Sequence, residues 1–235
     1  MDPAQFDKFA DEYHTLHAQN ITVTGEDPDY FVEYKIRDIH TQVLAYGRWS
    51  ENLRILDFGS GVGNSIPFFR RYFPSCHLVC ADVSERSLEV AKRRFGGLAD
   101  YVLFAGGTLP FDPGVFDVAF SACVFHHIPA IEHLLLLREL RRVLSRTAGR
   151  LFLYEHNPLN PLTVHAVNAC AFDSDAVLIP SWEMRKKFQN AGYFNVKVCY
   201  RVFFPHFLNF MRFLEFRLPF LPIGAQYCVA GTAWL

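Results

Sequence analysis

Apolar and polar positions along this chain follow two rhythms, and each change of rhythm marks the edge of an element. From residue 54 onward, short apolar or β-branched runs alternate with stretches whose apolar residues recur every three or four positions, the pattern of a doubly wound α/β sheet. Residues 54–58, 77–81, 101–105 and 116–122 read as the first four strands, and 150–155 as a fifth behind the stop signal Ala148-Gly149. Residues 84–95 and 133–144 read as intervening helices; in the first, Leu88, Ala91 and Phe95 share an apolar face against Arg86, Lys92 and Arg93. A further helix over 181–191 takes Ser181 as its N-cap, Glu183 in its first turn and Gly192 as its stop. Residues 195–203 and 226–232 alternate as a closing antiparallel pair.

Three pieces stand outside that sheet: residues 1–50, the Pro-rich stretch 157–180 and the Phe-rich stretch 203–222. A connection as long as 157–180 is more often a functional lid than slack. The expectation is one domain over 1–235, with 1–50 as an N-terminal helical lid and the other two stretches as substrate-cap insertions. Taken as an α-helix, the Phe-rich stretch puts Phe207, Phe210, Met211, Leu214 and Leu218 on one face, yet leaves Phe213 and Phe216 among polar residues. An apolar substrate pocket, a homodimer contact, peripheral membrane contact and burial by another segment compete to explain those two.

Composition narrows the partners. A net charge of −1 over 235 residues gives no electrostatic reason to expect nucleic acid. The six cysteines are scattered without a C-x-x-C pair, as buried thiols in a reducing compartment would be. The start Met1-Asp2-Pro3-Ala4-Gln5 lacks the basic and apolar regions of a signal peptide, and no apolar run reaches the roughly 18 residues of a membrane span. A cytoplasmic protein is expected. The 24 phenylalanines tilt the expected ligand toward an apolar or lipid-like molecule.

The sharpest local signal is Ile55-Leu56-Asp57-Phe58-Gly59-Ser60-Gly61-Val62-Gly63-Asn64, a buried strand running into a glycine turn that opens a helix. Glycines allow positive backbone angles and let a ligand touch the main chain. A dinucleotide fingerprint is spaced G-x-G-x-x-G, with a diphosphate at the helix N-terminus. Here the spacing is G-x-G-x-G and Asp57 precedes it; that carboxylate would repel a diphosphate and suits a cationic ligand carrying an ammonium and a sulfonium. Asp82 ends the second strand about 20 residues further on, where such folds bind ribose hydroxyls.

In this order and spacing the chain resembles the class I methyltransferases that depend on S-adenosylmethionine (SAM), in particular the small-molecule group that includes quinone and sterol methyltransferases. The resemblance rests on residues 56–63, on Ala81-Asp82-Val83-Ser84, on Leu109-Pro110-Phe111-Asp112 followed by Phe116-Asp117, and on Val124-Phe125-His126-His127-Ile128-Pro129. The opening run Phe6 to Tyr13 is similar to the family's N-terminal helix. The resemblance implies a Rossmann-like, seven-stranded, mostly parallel sheet with a terminal antiparallel strand, and SAM as cofactor, with S-adenosylhomocysteine as product. It also implies that Gly59, Ser60, Gly61 and Gly63 with Asp57 line the methionine part and that Asp82 holds the ribose. Val83 and Leu109 would sandwich adenine beside the turn Gly106-Gly107-Thr108, with Cys123 beyond the fourth strand and Tyr13 closing over the methionine end. Many relatives carry an acidic residue for the adenine amine where this chain has Ala105-Gly106-Gly107-Thr108.

SAM already carries a good leaving group, so the protein must hold an acceptor in line with the methyl and remove a proton where there is one. His126-His127 and Glu155-His156 follow the fourth and fifth strands, at the carboxyl edge where ligands bind, and histidine titrates near neutrality. His127 and His156 are the first candidates; His126 stands behind its neighbour because adjacent strand-end side chains point to opposite faces. The spacing of His14, His17, His127 and His156 matches no ligand pattern, so no metal is expected. The expected function is methyl transfer to an oxygen, carbon or nitrogen of a small apolar acceptor. The alternatives are a protein methyltransferase and a catalytically inactive SAM-binding regulatory or partner protein.

Overall fold

The computed structural model describes residues 26–46, 52–170 and 173–234. A helix α1 (Pro28–Tyr46) leads into β1 (Arg54–Phe58), α2 (Ile66–Tyr72), β2 (His77–Asp82), α3 (Glu85–Phe95), β3 (Asp100–Leu103) and β4 (Val118–Ala122). Then follow α4 (His133–Val143), β5 (Arg150–His156), α5 (Pro161–Ala169), α6 (Ser181–Asn190), β6 (Phe194–Arg201), a 3-10 helix (His206–Arg217) and β7 (Gln226–Thr232). The strands form one seven-stranded sheet in the order β3-β2-β1-β4-β5-β7-β6. All neighbours pair in parallel except β7, which runs antiparallel to both β5 and β6. Strand order reverses beside β1, where β2 lies on one side and β4 on the other, and a crevice opens there at the carboxyl ends.

Two apolar cores follow from the period of two along each strand. Leu56, Phe58, Ala119, Leu151 and Leu153 face one side with Leu137 and Leu140 of α4 and Met184 and Phe188 of α6. Their chain neighbours Ile55, Val118, Phe120, Phe152 and Tyr154 face the other, against Ile36, Ile39 and Val43 of α1 and Ile66 and Phe69 of α2. Covered on both faces, the strands read as near-continuous apolar runs.

Local chemistry sets several boundaries. The Ser84 hydroxyl accepts from Ser87 N–H and caps α3, while Asn160 caps α5 through the N–H groups of Leu162 and Thr163, with Pro161 in the first turn. Two expectations need correction. Ser181 does not cap α6: Pro180 holds the cap position, and the Ser181 hydroxyl is drawn instead to the Tyr200 hydroxyl at 2.7 Å. The Phe-rich stretch is a 3-10 helix interrupted at Leu208, not an α-helix, so faces drawn at 3.6 residues per turn do not apply to it.

Helix α1 is locked to the sheet by charge. Asp38 accepts from Arg201 Nε at 2.8 Å and Nη2 at 3.1 Å, a two-pronged pair, and from the Tyr154 hydroxyl at 2.7 Å. The 3-10 helix is fastened to α1 in turn by Glu215, which accepts from the Tyr34 hydroxyl at 2.8 Å and from Phe203 N–H at 2.9 Å. Among the described residues, no helix is long and apolar enough to cross a membrane.

Candidate functional site

Where β1 ends, the chain turns through Gly59 and Gly61, both at positive φ, and Gly59 N–H donates to Ala81 O at 2.8 Å. A Cβ on Gly59 would stand 2.5 Å from Val124, whereas one on Gly61 would meet open space. Only the second glycine therefore presents bare main chain to a ligand. Gly63 has a packing role, since a Cβ there would crowd Ile66, Ala91 and Phe95.

The turn borders a cavity of about 390 Å³ that contains both predicted carboxylates, Asp57 and Asp82. Asp82 Oδ2 accepts from Gly61 N–H at 2.7 Å and Oδ1 from Ser84 N–H at 2.9 Å. The turn is thus tied to the end of β2, with the Asp82 carboxylate on the cavity wall. Asp57 is buried and bonded to the Ser65 hydroxyl. Burial pushes its carboxyl up to about 7, with Ser65 pulling it down and the Asp82 charge adding to the rise. A cation placed there would find a carboxylate short of a charge partner.

At the far side of the crevice, Cys123 follows β4 with φ +57, its N–H bonded to Tyr154 O at 2.8 Å. Val202, also at positive φ, lies on the cavity wall too. Non-glycine residues held in that region concentrate at ligand sites.

The four candidate catalytic residues fall together but do different things. His127 and His156 line the cavity; His126 and Glu155 do not. Glu155 is buried, accepting from His126 Nδ1 at 2.5 Å and from Val124 and Phe125 N–H at 3.1 and 2.8 Å. It therefore orients the loop after β4 rather than meeting a ligand. Asp173 Oδ1 lies 3.3 Å from His127 Nε2 and 3.6 Å from His126 Nε2, and Asp175 lies 3.2 Å from His127 Nδ1. Burial works against the charge on His126, but the Glu155 charge and the Asp173 and Glu155 hydrogen bonds outweigh it and hold the imidazolium well above its ordinary pKa. His156 is driven the other way, to about 4, by burial and by the charge of His126. It is a neutral imidazole at pH 7. Ligand atoms of His126, His127 and Asp173 lie within 4.8 Å of one another, a spacing a metal could use. The opposite charges already compensate each other there. Of the four histidines weighed as ligands, His14 and His17 lie outside the described residues, as does Tyr13.

The adenine-side residues Val83, Gly106, Gly107, Thr108 and Leu109 are not on the cavity wall, which ends at Asp82 and Ser87. Leu109 is in the core, and its main chain is held by Glu139 and Arg142. Lys35, Gln226 and His165 are among the lining residues that the sequence reading does not single out. Lys35 is buried on α1; its signal was a lysine on the helix's apolar stripe, four residues from both Phe31 and Ile39. Gln226 opens β7 with its amide oxygen buried and unbonded. His165 comes from α5, inside the Pro-rich stretch 157–180 that the sequence marks as a cap insertion without assigning it a helix.

Residues 56–153 match the methyltransferase domain family model. The chain is 27% identical over 136 residues to a demethylmenaquinone methyltransferase of Thermotoga maritima, covering 52% of this chain and 58% of that one. It is 22% identical over 129 residues to a sterol 4-C-methyltransferase of Caenorhabditis elegans, covering 53% and 37%. The chain thus spans about half the length of the curated relatives it matches. A SAM-dependent methyltransferase structure from T. maritima superposes with a TM-score of 0.66 at 17% identity over 98% of both chains, a likeness of fold. The methyl donor of such domains is SAM, and the bare Gly61 main chain with the buried Asp57 and Asp82 carboxylates on the cavity wall fit its methionine and ribose parts. The matched residues, the sheet order and this glycine turn together mark residues 56–153 as a methyltransferase domain on the fold of SAM-dependent methyltransferases.

Proposed function

We propose that this protein transfers a methyl group from SAM to an oxygen, carbon or nitrogen of a small, largely apolar or lipid-like acceptor. The observation that carries the reading is the continuity of one cavity. It runs from Asp57, Gly61 and Asp82 to an apolar end walled by Leu162, Val167, Phe203, Phe204 and Phe207. An acidic, main-chain-rich end and an aromatic end in one space suit a cationic donor facing an apolar acceptor. When bound, SAM supplies an electrophilic methyl and a thioether leaving group.

Asp57 holds the ammonium, and Asp82 accepts from the ribose hydroxyls. Lys35 faces the methionine carboxylate, since it is the only lysine or arginine among the described lining residues. Adenine would lie beyond Asp82, toward Val83 and the turn 106–109. On the acceptor side, His127 takes the proton of an acceptor hydroxyl or amine at Nε2, its ring oriented by Asp175 at Nδ1, 3.2 Å away, and the resulting charge met by Asp173. The neutral His156 accepts a hydrogen bond beside it, and Gln226 offers its buried amide oxygen. Cover from α1 and α5 favours a small molecule over a protein segment, which needs an open groove.

Calorimetric titration with SAM, S-adenosylhomocysteine and NAD tests the donor half. Micromolar binding of the two sulfur nucleosides and none of NAD is expected; binding of NAD alone would overturn the reading. Single-turnover methylation of apolar acceptors tests the other half, with His127→Ala expected to slow turnover more than it weakens SAM binding.

A further inference from the structure

The 3-10 helix His206–Arg217 is built inside out. Its one buried residue is Glu215, while Phe207, Phe210, Phe213 and Phe216 are 75%, 68%, 68% and 71% exposed. Four phenylalanines spaced by three match the period of a 3-10 helix, in which residues i and i+3 eclipse. Phe210, Phe213 and Phe216 therefore form a row, and Phe207 stands beyond the interruption at Leu208. Phe220 and Ile223 continue the exposed apolar surface at 70% and 63%. An apolar row outside with a carboxylate beneath is the reverse of a helix packed on a core.

The row is held from below, not left to collapse inward. Glu215 binds Tyr34 and the Phe203 main chain, and Arg212 pairs with Glu26 and donates to Phe204 O at 3.2 Å. Across the cavity mouth, α5 is stapled to the end of the same segment: Asn160 Nδ2 donates to Ile223 O at 2.7 Å, and Asn157 Nδ2 to Gly224 O at 2.8 Å. Leu162 of α5 is 67% exposed and lines the cavity, as Phe207 does. The apolar surface and the mouth of the cavity are continuous.

We propose that this surface seats the protein on an anionic lipid bilayer, with the phenylalanine row inserted at the headgroup level and the cavity mouth facing the lipid. Charge selects the occupant. Across residues 203–223 the ionisable groups are His206, Arg212, Arg217 and Glu215, and the one acid is buried. Arg217 is exposed, its guanidinium 5.2 Å from the Phe216 ring centre, while His206 and Arg212 both lie against the largely buried Glu26. In a two-fold homodimer the patch would meet its own copy, setting exposed arginine against a surface with no exposed acid. Headgroup phosphates supply the missing anion, and phenylalanines beside an exposed arginine suit the bilayer interface. The inference goes beyond methyl transfer and stands or falls separately from it.

The test is flotation of the full chain with vesicles of phosphatidylcholine, alone or with an equal part of phosphatidylglycerol. Wild type is compared with the triple variant Phe210→Ser, Phe213→Ser, Phe216→Ser and with the control Ile131→Ser, an 89% exposed residue elsewhere. Wild type and control are expected to float with the anionic vesicles, less so with added salt, and the triple variant to lose at least tenfold in bound fraction. S-adenosylhomocysteine titration should be equal in all three, which separates a failed surface from a failed cofactor site. No flotation of wild type, or undiminished flotation of the triple variant, overturns the proposal. So does a dimer in sedimentation velocity that the triple variant abolishes, which would assign the row to a second copy. Loss of cooperative melting in the triple variant without any vesicle effect would assign it to cover by the chain's own residues, and likewise overturns it.

Discussion

In the proposed reading Asp57 meets the ligand's positive charge, and its own carboxyl, raised to about 7 by burial, makes that meeting depend on pH. A raised carboxyl is protonated below its pKa, and the neutral form has no charge to offer. If the cationic ligand binds only the ionised form, apparent affinity scales with the ionised fraction. Binding at pH 6 should then be about tenfold weaker than at pH 8. Calorimetric titration across that range checks it, with Asp57→Asn expected to bind weakly at every pH and to flatten the dependence. A wild-type affinity constant from pH 6 to pH 8 would mean that Asp57 is not the cation's partner. Its place on the cavity wall was legible in the sequence because an acid inside a buried strand, two residues before a glycine turn, stands out from the apolar run around it. Lys35 was passed over for the opposite reason: on the surface it would be unremarked, and only its place on the apolar stripe of α1 marks it. Gln226 had no signal at all, because what matters there is an unbonded amide oxygen, which sequence does not carry.

Between elements, legibility followed the hydrophobic period. The strands over 54–58 and 226–232 were read with their observed bounds, and α3 and α4 within a residue or so, because buried strands and amphipathic helices print their periods directly. The connections between elements did not. Helix α5, within the Pro-rich stretch, shows little amphipathic pattern, since one side lines a cavity and the other is exposed. The 3-10 helix was misread because its period is three, so a wheel drawn for an α-helix scattered a real row of phenylalanines over two faces. Glu215 determines whether that helix holds its shape, being buried and bonded to Tyr34 and to main-chain N–H groups of Phe203 and Phe204. Removing it leaves those donors unmet beneath the helix. Glu215→Ala should cost about 2–3 kcal/mol in chemical denaturation and speed amide exchange at Phe203 and Phe204. Glu215→Gln, which keeps an acceptor, should recover part of the loss. Equal melting of wild type and Glu215→Ala would mean the helix is held from elsewhere.

Across the whole molecule, the cluster behind the cavity ties three distant stretches together: the loop after β4 through His126 and His127, the end of β5 through Glu155 and His156, and the segment carrying Asp173. Stability should therefore depend on pH from both sides. His126 is held above its ordinary pKa chiefly by the Glu155 charge acting against burial. Its stabilising contribution is complete below about 6.5, the unfolded value, and is lost as pH rises through the folded one. Asp173 and Glu155 are both held below the usual carboxylate range: burial opposes this, but hydrogen bonds from the histidines lower Asp173 and the His126 charge lowers Glu155. Their contributions are present above about 4 and fade in acid. His156 makes the acid side steeper. Its imidazole is depressed from 6.5 to about 4, so the unfolded chain binds its proton first, and folding loses up to about 3 kcal/mol between pH 6.5 and pH 4. Melting temperature followed over that interval should fall in wild type and fall less in His156→Asn, which cannot take up the proton. His126→Gln should instead soften the alkaline decline while lowering the melting temperature at neutral pH, because Glu155 then loses its counter-charge in a buried site. If His156→Asn left the acid arm unchanged, the neutral imidazole at the cavity wall would not be the group that titrates. The acid sensitivity would then belong to the carboxylates alone.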